Sequence, residues 1–264
     1  MKPQKVVVFD LDETLGSYTQ LGIFGDALDI YFNSEFTNIN FNELLDLYPE
    51  FIRPKLFSIL KYLKQKKLNK ECSKVMIYTN NQGPKSWAEG IKNYFDDKIN
   101  YKLFDQIIAA FKIGENRVEL CRTSNEKSVS DFLKCTKLPS NVEICFLDDQ
   151  YHQKMEDENV YYINVKPYCH HLSYNEMSNR FINSSLGKYV RNKEDFKKFV
   201  INISNKYQFK IEKKCSKEHN IDKIIGKKIL YHLKLFFNDL NSKTMKKKKT
   251  LRGKTLKKLK LKHS

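Results

Sequence analysis

Two carboxylates, Asp10 and Asp12, stand directly after the apolar run Val6–Phe9, in the stretch VVVFDLDETLGS that spans Val6 to Ser17. Residues i and i+2 of an extended chain point to the same side, so these two acids lie close together. Like charges at that distance repel unless a positive group sits between them. The pattern asks for a cation at the end of a strand. A second acidic pair, Asp148 and Asp149, follows the apolar run Ile144–Leu147. Thr79 and Asn80 follow Val75–Tyr78 in the same way, and Lys127 stands near the start of an amphipathic segment that opens at Asn125.

These groups can cooperate only if the elements that carry them end on one edge. Short apolar runs alternate along the chain with amphipathic segments, which is the signature of a parallel α/β sheet. Val6–Phe9, Val75–Tyr78, Ile107–Ala110, Ile144–Leu147 and Tyr161–Val165 read as strands buried on both faces, because they are apolar throughout rather than alternating. Helices are expected over Pro54–Lys66, with Pro54 in the first helical position, over Ser86–Phe95, and over Asn125–Cys135 with Asn125 as N-cap. In an open α/β sheet, ligands bind beyond the carboxyl ends of the strands, so the four junctions can converge there.

Two regions break the rhythm. Gly16–Ile52 is an aromatic-rich insertion after the first strand, placed to flank the site and read as a folded flap that packs its own aromatics, with direct substrate contact as the alternative. Beyond Gly187 the strand signal stops, and Lys193–Tyr207 and Ile221–Leu240 read as helices.

The chain has 264 residues, 41% of them hydrophobic and 13% aromatic, enough for a substantial core and against wholesale disorder. The net charge of +17 is unevenly placed: residues 243–264 hold 11 Lys or Arg and no acid, while residues 1–242 hold 37 basic and 31 acidic side chains. That Lys-rich tail is expected to be disordered, and to serve either as a solubilising extension or as a nuclear-targeting or polyanion-binding segment. The six cysteines form no CxxC pair and show no staple-like spacing, so six reduced thiols and an intracellular location, cytoplasmic or nuclear, are the simpler expectation. No run approaches the roughly 18–20 apolar residues of a membrane span, and the N-terminal apolar run is too short for a signal peptide. The adjacent Cys169, His170 and His171 are a weaker metal candidate, since three consecutive residues do not easily face one ion.

Taken together, VVVFDLDET, VMIYT, Lys127 and FLDD resemble, in order, the four motifs of the haloacid dehalogenase-like superfamily of phosphohydrolases. The resemblance covers about residues 1–185. It implies a Rossmann-like three-layer parallel sheet; the 16–52 insertion and a helical extension over 186–242 are read from the sequence, and the extension lies beyond the resemblance. It also implies roles: Asp10 as the nucleophile that forms an aspartyl-phosphate, Asp12 as general acid and then general base, and Lys127 as the charge beside the phosphoryl group. Thr79, Asn80 and Lys127 would bind phosphate. A Mg²⁺ ion would be held by Asp10, the main-chain carbonyl of Asp12, and one acid of the terminal pair, with Asp149 favoured for direct ligation over Asp148. Mg²⁺ keeps several waters and prefers oxygen ligands, so a few carboxylates suffice. Thr14 in its position favours a phosphatase over a phosphotransferase.

Three stretches, FIRPKLFSILKYL, LFDQIIAA and FLDDQYHQKMEDENVYYINVKPY, are similar to the branch of protein phosphatases that act on the RNA polymerase II C-terminal domain, also called NLI-interacting-factor-like. That branch implies a phosphoserine or phosphothreonine protein substrate. TNNQG is closer to the second motif of polynucleotide 3′-phosphatases and small-molecule members, so a nucleic-acid end or a nucleotide stays open as the alternative. A non-catalytic nucleic-acid-binding adaptor working through its tail is the third reading.

Overall fold

The computed structural model describes residues 3–33 and 41–238. In chain order its elements are β1 (Lys5–Phe9), α1 (Thr19–Tyr31), α2 (Phe41–Asp46), α3 (Leu56–Leu68), β2 (Lys74–Tyr78), α4 (Lys85–Lys98), β3 (Phe104–Ile108), β4 (Lys112–Ile113), β5 (Asn116–Arg117), α5 (Val129–Thr136), β6 (Glu143–Asp148), β7 (Val160–Asn164), α6 (Tyr174–Ile182), α7 (Lys193–Asn205) and α8 (Ser216–Phe237). Five strands form one parallel sheet in the order β3-β2-β1-β6-β7, and β4 with β5 makes a small antiparallel hairpin beside it. The chain is therefore α/β with an all-parallel sheet, an arrangement compatible with a Rossmann-like three-layer fold. From central β1 the connections run first to β2 and β3 on one side, then to β6 and β7 on the other. The switch point lies between β1 and β6, where such sheets leave a crevice.

Side-chain alternation sorts the core into two layers. Val6, Val8, Met76, Tyr78, Ile144 and Phe146 pack on one face with Phe132 of α5. Val7, Phe9, Val75, Ile77, Cys145 and Leu147 face the other side, against α3, α4, α8 and the segments around them. The apolar core on this second face is continuous from the insertion to α8: Tyr18, Phe24, Tyr48, Phe51, Phe196, Val200, Leu233 and Phe236 all belong to it. Rings of the insertion meet later helices directly, with Phe24 5.7 Å from Tyr48 and 6.1 Å from Phe181, and Tyr31 5.0 Å from Phe196. The insertion thus packs its aromatics against α6 and α7 as well as against itself, and residues on both sides of position 185 share one core. In α8, Gly226 has no Cβ because one would lie 2.2 Å from the Pro54 carbonyl oxygen, which is how closely α8 crosses the start of α3.

Four expectations shift. The third strand is Phe104–Ile108 rather than Ile107–Ala110: buried Phe104 pairs with Val75, and the Val75 amide donates to Asp105 Oδ2 (2.8 Å) at an irregularity in the register. The acid inside the strand hid its beginning. Pro54 lies outside α3, because Lys55 precedes the helix in a left-handed conformation (φ 70°). The third helix begins at Val129, capped by Ser128, whose hydroxyl accepts from the Asp131 amide (3.1 Å), so Asn125 and Lys127 precede it. Cys121 and Cys135 are joined in a disulfide, against the expectation of six free thiols; the fold brings the segment after β5 against α5, and a separation of 14 residues carries no staple signature. The other four cysteines are free. No helix among the described residues is long and apolar enough to cross a membrane, and the Lys-rich segment 243–264 lies outside the described residues.

Candidate active site

The site begins with register. Phe9 pairs with Leu147, and the Asp10 amide donates to the Leu147 carbonyl (2.8 Å), so Asp10, just after β1, and Asp148, the last residue of β6, stand side by side. Two carboxylates in that position need a counter-charge, and Lys127 supplies it. Its Nζ donates to Asp10 Oδ1 and to Asp148 Oδ2 (2.7 Å) and lies 5.7 Å from the Tyr78 ring centre and 5.9 Å from that of Phe146. Lys127 is 1% exposed and Asp148 0%. Removing such groups from water is costly unless they are paired, which makes the pairing a condition of the fold. Burial works against the charge on Lys127, yet Asp10 and Asp148 hold its ammonium above the ordinary lysine range. Burial pushes the Asp10 carboxyl up, Lys127 pulls it back, and Asp148 and Asp149 push again, with a net upward shift. His152, 3.5 Å from Asp148, is lowered to about 4 by burial and by Lys127, so it is a neutral neighbour at pH 7.

Asp12 faces the opposite flank of the cleft. Its Oδ2 accepts from Asn81 Nδ2 (2.6 Å), while Oδ1 is buried with no hydrogen-bond partner. Burial raises its carboxyl to about 6, against the pull of the Asn81 hydrogen bond. A carboxyl near 6 can both give and take a proton near neutrality. Thr79, 2% exposed, directly follows β2 and accepts from the Asn81 amide (2.9 Å), so Thr79 and Asn81 together shape the loop beside Asp12. Asn80 is turned away: its Nδ2 donates to the Asn125 carbonyl (2.9 Å) and its Oδ1 accepts from Arg122 (2.8 Å). Of two adjacent asparagines, Asn81 reaches the acids and Asn80 ties loops together.

Asp149 closes the fourth corner. Its Oδ1 accepts from Thr14 Oγ1 (3.0 Å), and its amide donates back to the same hydroxyl (3.0 Å). The threonine of DxDxT thereby fixes the acidic loop after β6. Asp10, Asp148 and Asp149 each offer an oxygen within 4.8 Å of the others. Three carboxylates against one ammonium leave the cluster negative, and hard oxygen donors fit a hard divalent ion rather than a soft one. Both oxygens of each terminal acid accept hydrogen bonds, those of Asp148 from Lys127 and the Gln150 amide (2.8 Å) and those of Asp149 from Thr14 and the Gln150 side chain (2.8 Å). Asp148 is fully buried against the ammonium, whereas Asp149 is half-buried. Cys169, His170 and His171 diverge: His171 Nδ1 accepts from the Glu212 amide (3.0 Å), His170 lies against Phe51, and neither belongs to a cluster able to hold a metal among the described residues.

Two buried arginines hold this arrangement; Arg53 lies in the FIRPKLFSILKYL stretch, which assigns it no role, and no sequence signal marks Arg122. Arg122, 0% exposed, donates to the carbonyls of Thr79 (3.0 Å), Ala109 (2.8 Å) and Asn125 (3.0 Å), tying the β2 loop to the segment that carries Lys127. Arg53, 1% exposed, donates from Nε to the Thr14 carbonyl (2.5 Å) and from a terminal nitrogen to the carbonyls of Glu13 and Lys166 (3.0 Å for the latter). It braces the turn after Asp12, where Glu13 is left-handed (φ 56°). A guanidinium suits this work because its fan of donors satisfies several carbonyls at once. Comparison of the chain with protein-family models, with curated proteins and with solved structures returned no match.

Proposed function

We propose that the chain is a Mg²⁺-dependent phosphomonoesterase with a haloacid dehalogenase-like fold, acting through an aspartyl-phosphate on phosphoserine or phosphothreonine of a protein. The observation that carries this reading is the bridge of Lys127 between Asp10 and Asp148 at the β1/β6 switch point. It is an ammonium poised beside a carboxylate that is half free to attack, with a second carboxyl, Asp12, across the cleft. Asp10, Asp149 and the main-chain carbonyl of Asp12 would hold the cation, with Asp148 supporting through Lys127. When bound, a divalent ion neutralises phosphoryl oxygens and lowers the barrier to attack by an anion.

The residues divide the reaction between them. An Asp10 oxygen attacks phosphorus while the ester oxygen leaves with the Asp12 proton. Asp12, now ionised, takes a proton from water as that water attacks the acyl-phosphate, and inorganic phosphate departs with Asp10 regenerated. Lys127 stabilises the charge that builds on the phosphoryl oxygens, and Thr79 would hydrogen-bond one of them.

The test is hydrolysis of p-nitrophenyl phosphate by the full chain with Mg²⁺, after chelation, and after Mg²⁺ is restored. Turnover is expected only when Mg²⁺ is present, and Asp10→Asn is expected to remove it entirely while the protein stays folded by circular dichroism. Substantial turnover by a purified, folded Asp10→Asn protein would overturn the covalent mechanism.

A further inference from the structure

A cavity of about 720 Å³ opens from Asp12 between α1, α2 and the Asn81–Trp87 segment, away from Lys127. Its size suits a bound side chain or a small organic group. One wall is aromatic and apolar: Trp87 meets Phe41 edge to face at 5.3 Å, with Leu44 beside them. Opposite Trp87, α1 presents Gly22 and Gly25, where a Cβ would still find ordinary spacing of 3.8 and 4.0 Å, so no side chain fills the space. Two buried polar atoms beside the cavity lack hydrogen-bond partners, Asp12 Oδ1 and the hydroxyl of Tyr18, a residue 0% exposed.

The charge of this wall is opposite to that of the chain. Asp12, Asp26 and Asp29 line the cavity, and among the described lining residues there is no Lys, Arg or His, in a protein with 48 Lys and Arg. Asp26 is held in place by the Tyr207 hydroxyl (3.0 Å). Asp26 and Asp29 lie one turn apart on α1 and are exposed, so they meet a ligand at the rim.

We infer that this cavity receives the leaving group, and that it selects phosphoserine or phosphothreonine peptides bearing a bulky apolar side chain and a Lys or Arg next to the phosphorylated residue. The inference rests on the phosphatase reading, because it is Asp12 as proton donor that places the leaving oxygen at the mouth of the cavity. The apolar residue would lie against Trp87 and Phe41, the cation at Asp26 and Asp29, and peptide polar groups beside Tyr18 and Asp12. A polynucleotide end is disfavoured by the same wall, since its neighbouring phosphates would face two carboxylates with no cation between them.

The experiment compares kcat/KM, with Mg²⁺ and at low salt, for four substrates: p-nitrophenyl phosphate, a phosphoserine peptide flanked by Phe and Arg, the same peptide with Gly and Glu flanks, and a 3′-phosphorylated oligonucleotide. The Phe/Arg peptide is expected to exceed the Gly/Glu peptide by about tenfold, as two exposed charge pairs and one buried ring would give. Asp26→Asn with Asp29→Asn should reduce the Arg-dependent part of that ratio to within about twofold, and Trp87→Ala should raise KM for the Phe/Arg peptide more than for the Gly/Glu one. If p-nitrophenyl phosphate is not hydrolysed, the phosphatase reading fails and the inference falls with it. If it is hydrolysed but the peptides are equal, or the oligonucleotide is preferred, the inference alone is overturned.

Discussion

The two flanks of the cleft are built on opposite principles. On the β1/β6 side, Lys127, Asp10 and Asp148 are locked together, with Lys127 and Asp148 almost wholly removed from water. On the α1 side, the space beyond Asp12 is open, apolar and rimmed by exposed acids. A phosphoryl group has one shape and one charge, so groups fixed in a dry setting suit it. Leaving groups differ in shape, and a wall of rings and glycines with charges at the rim accommodates that variety. Asp12 lies between the two flanks, the position that the proposed transfer of its proton to the leaving oxygen would need.

The contrast can be broken from its rigid side first. Lys127→Met leaves two buried carboxylates without a counter-charge, and removal of one partner from a buried ion pair typically costs about 3–5 kcal/mol. Urea unfolding should show a loss of that size, with activity absent even where the protein remains folded. A loss under about 1 kcal/mol would mean that the acids find another partner. At the junction, Asp12→Asn keeps the Asn81 side unstrained and removes proton transfer, so kcat should fall by about 10²–10⁴ with little change in unfolding midpoint. Unchanged kcat would remove Asp12 from the chemistry.

The acidic corner gives a finer test. Asp148 is tied to Lys127 and the Gln150 amide, whereas Asp149 is half-buried at the outer edge. Asp149→Ala should raise the Mg²⁺ concentration needed for half-maximal activity by tenfold or more, while Asp148→Ala should act mainly on stability. Equal Mg²⁺ titrations for the two variants would show that the assignment is wrong, and a larger rise for Asp148→Ala would reverse it. The smallest effect is expected farthest from the cleft: deletion of residues 243–264 should leave p-nitrophenyl phosphate hydrolysis within about twofold of the full chain. Binding to RNA or another polyanion should weaken on deletion, and in the full chain it should fall steeply with salt as counterions compete. Loss of small-ester activity would show that the tail supports the catalytic fold.

Much of this frame was legible in the chain because it rests on local pattern. The apolar runs ending in Asp10, Thr79 and Asp148 marked β1, β2 and β6 to within a residue or two, since a strand buried on both faces has few ways to look otherwise. Register was not legible: only pairing of Phe9 with Leu147 brings Asp10 beside Asp148, and no single strand carries that information. Asn80 and Asn81 are chemically identical, so the loop alone decides which one reaches Asp12. The capping pattern at Ser128 and Asp131 was present, but Asn125 offered a competing start three residues earlier. Arg122 carried no mark, and Arg53 stood in the FIRPKLFSILKYL stretch without a role, because a charged side chain ordinarily reads as surface. Their burial follows from carbonyls gathered by distant segments, a property of the assembled fold.

Gly16 and Ile52 form a bridge, the Ser17 amide donates to the Phe51 carbonyl (2.7 Å), and the Arg53 amide donates to the Leu15 carbonyl (3.1 Å). A Cβ on Gly16 would lie 2.3 Å from the Tyr18 ring, so this seam closes tightly. The insertion thus begins and ends at one seam, between the turn after β1 and the entry to α3. Because its two ends are joined there, added length costs the strands little closure entropy, while the rings it shares with α6 and α7 fix the residues that must stay. A change of length there would leave the five strands and the ammonium between two acids in place.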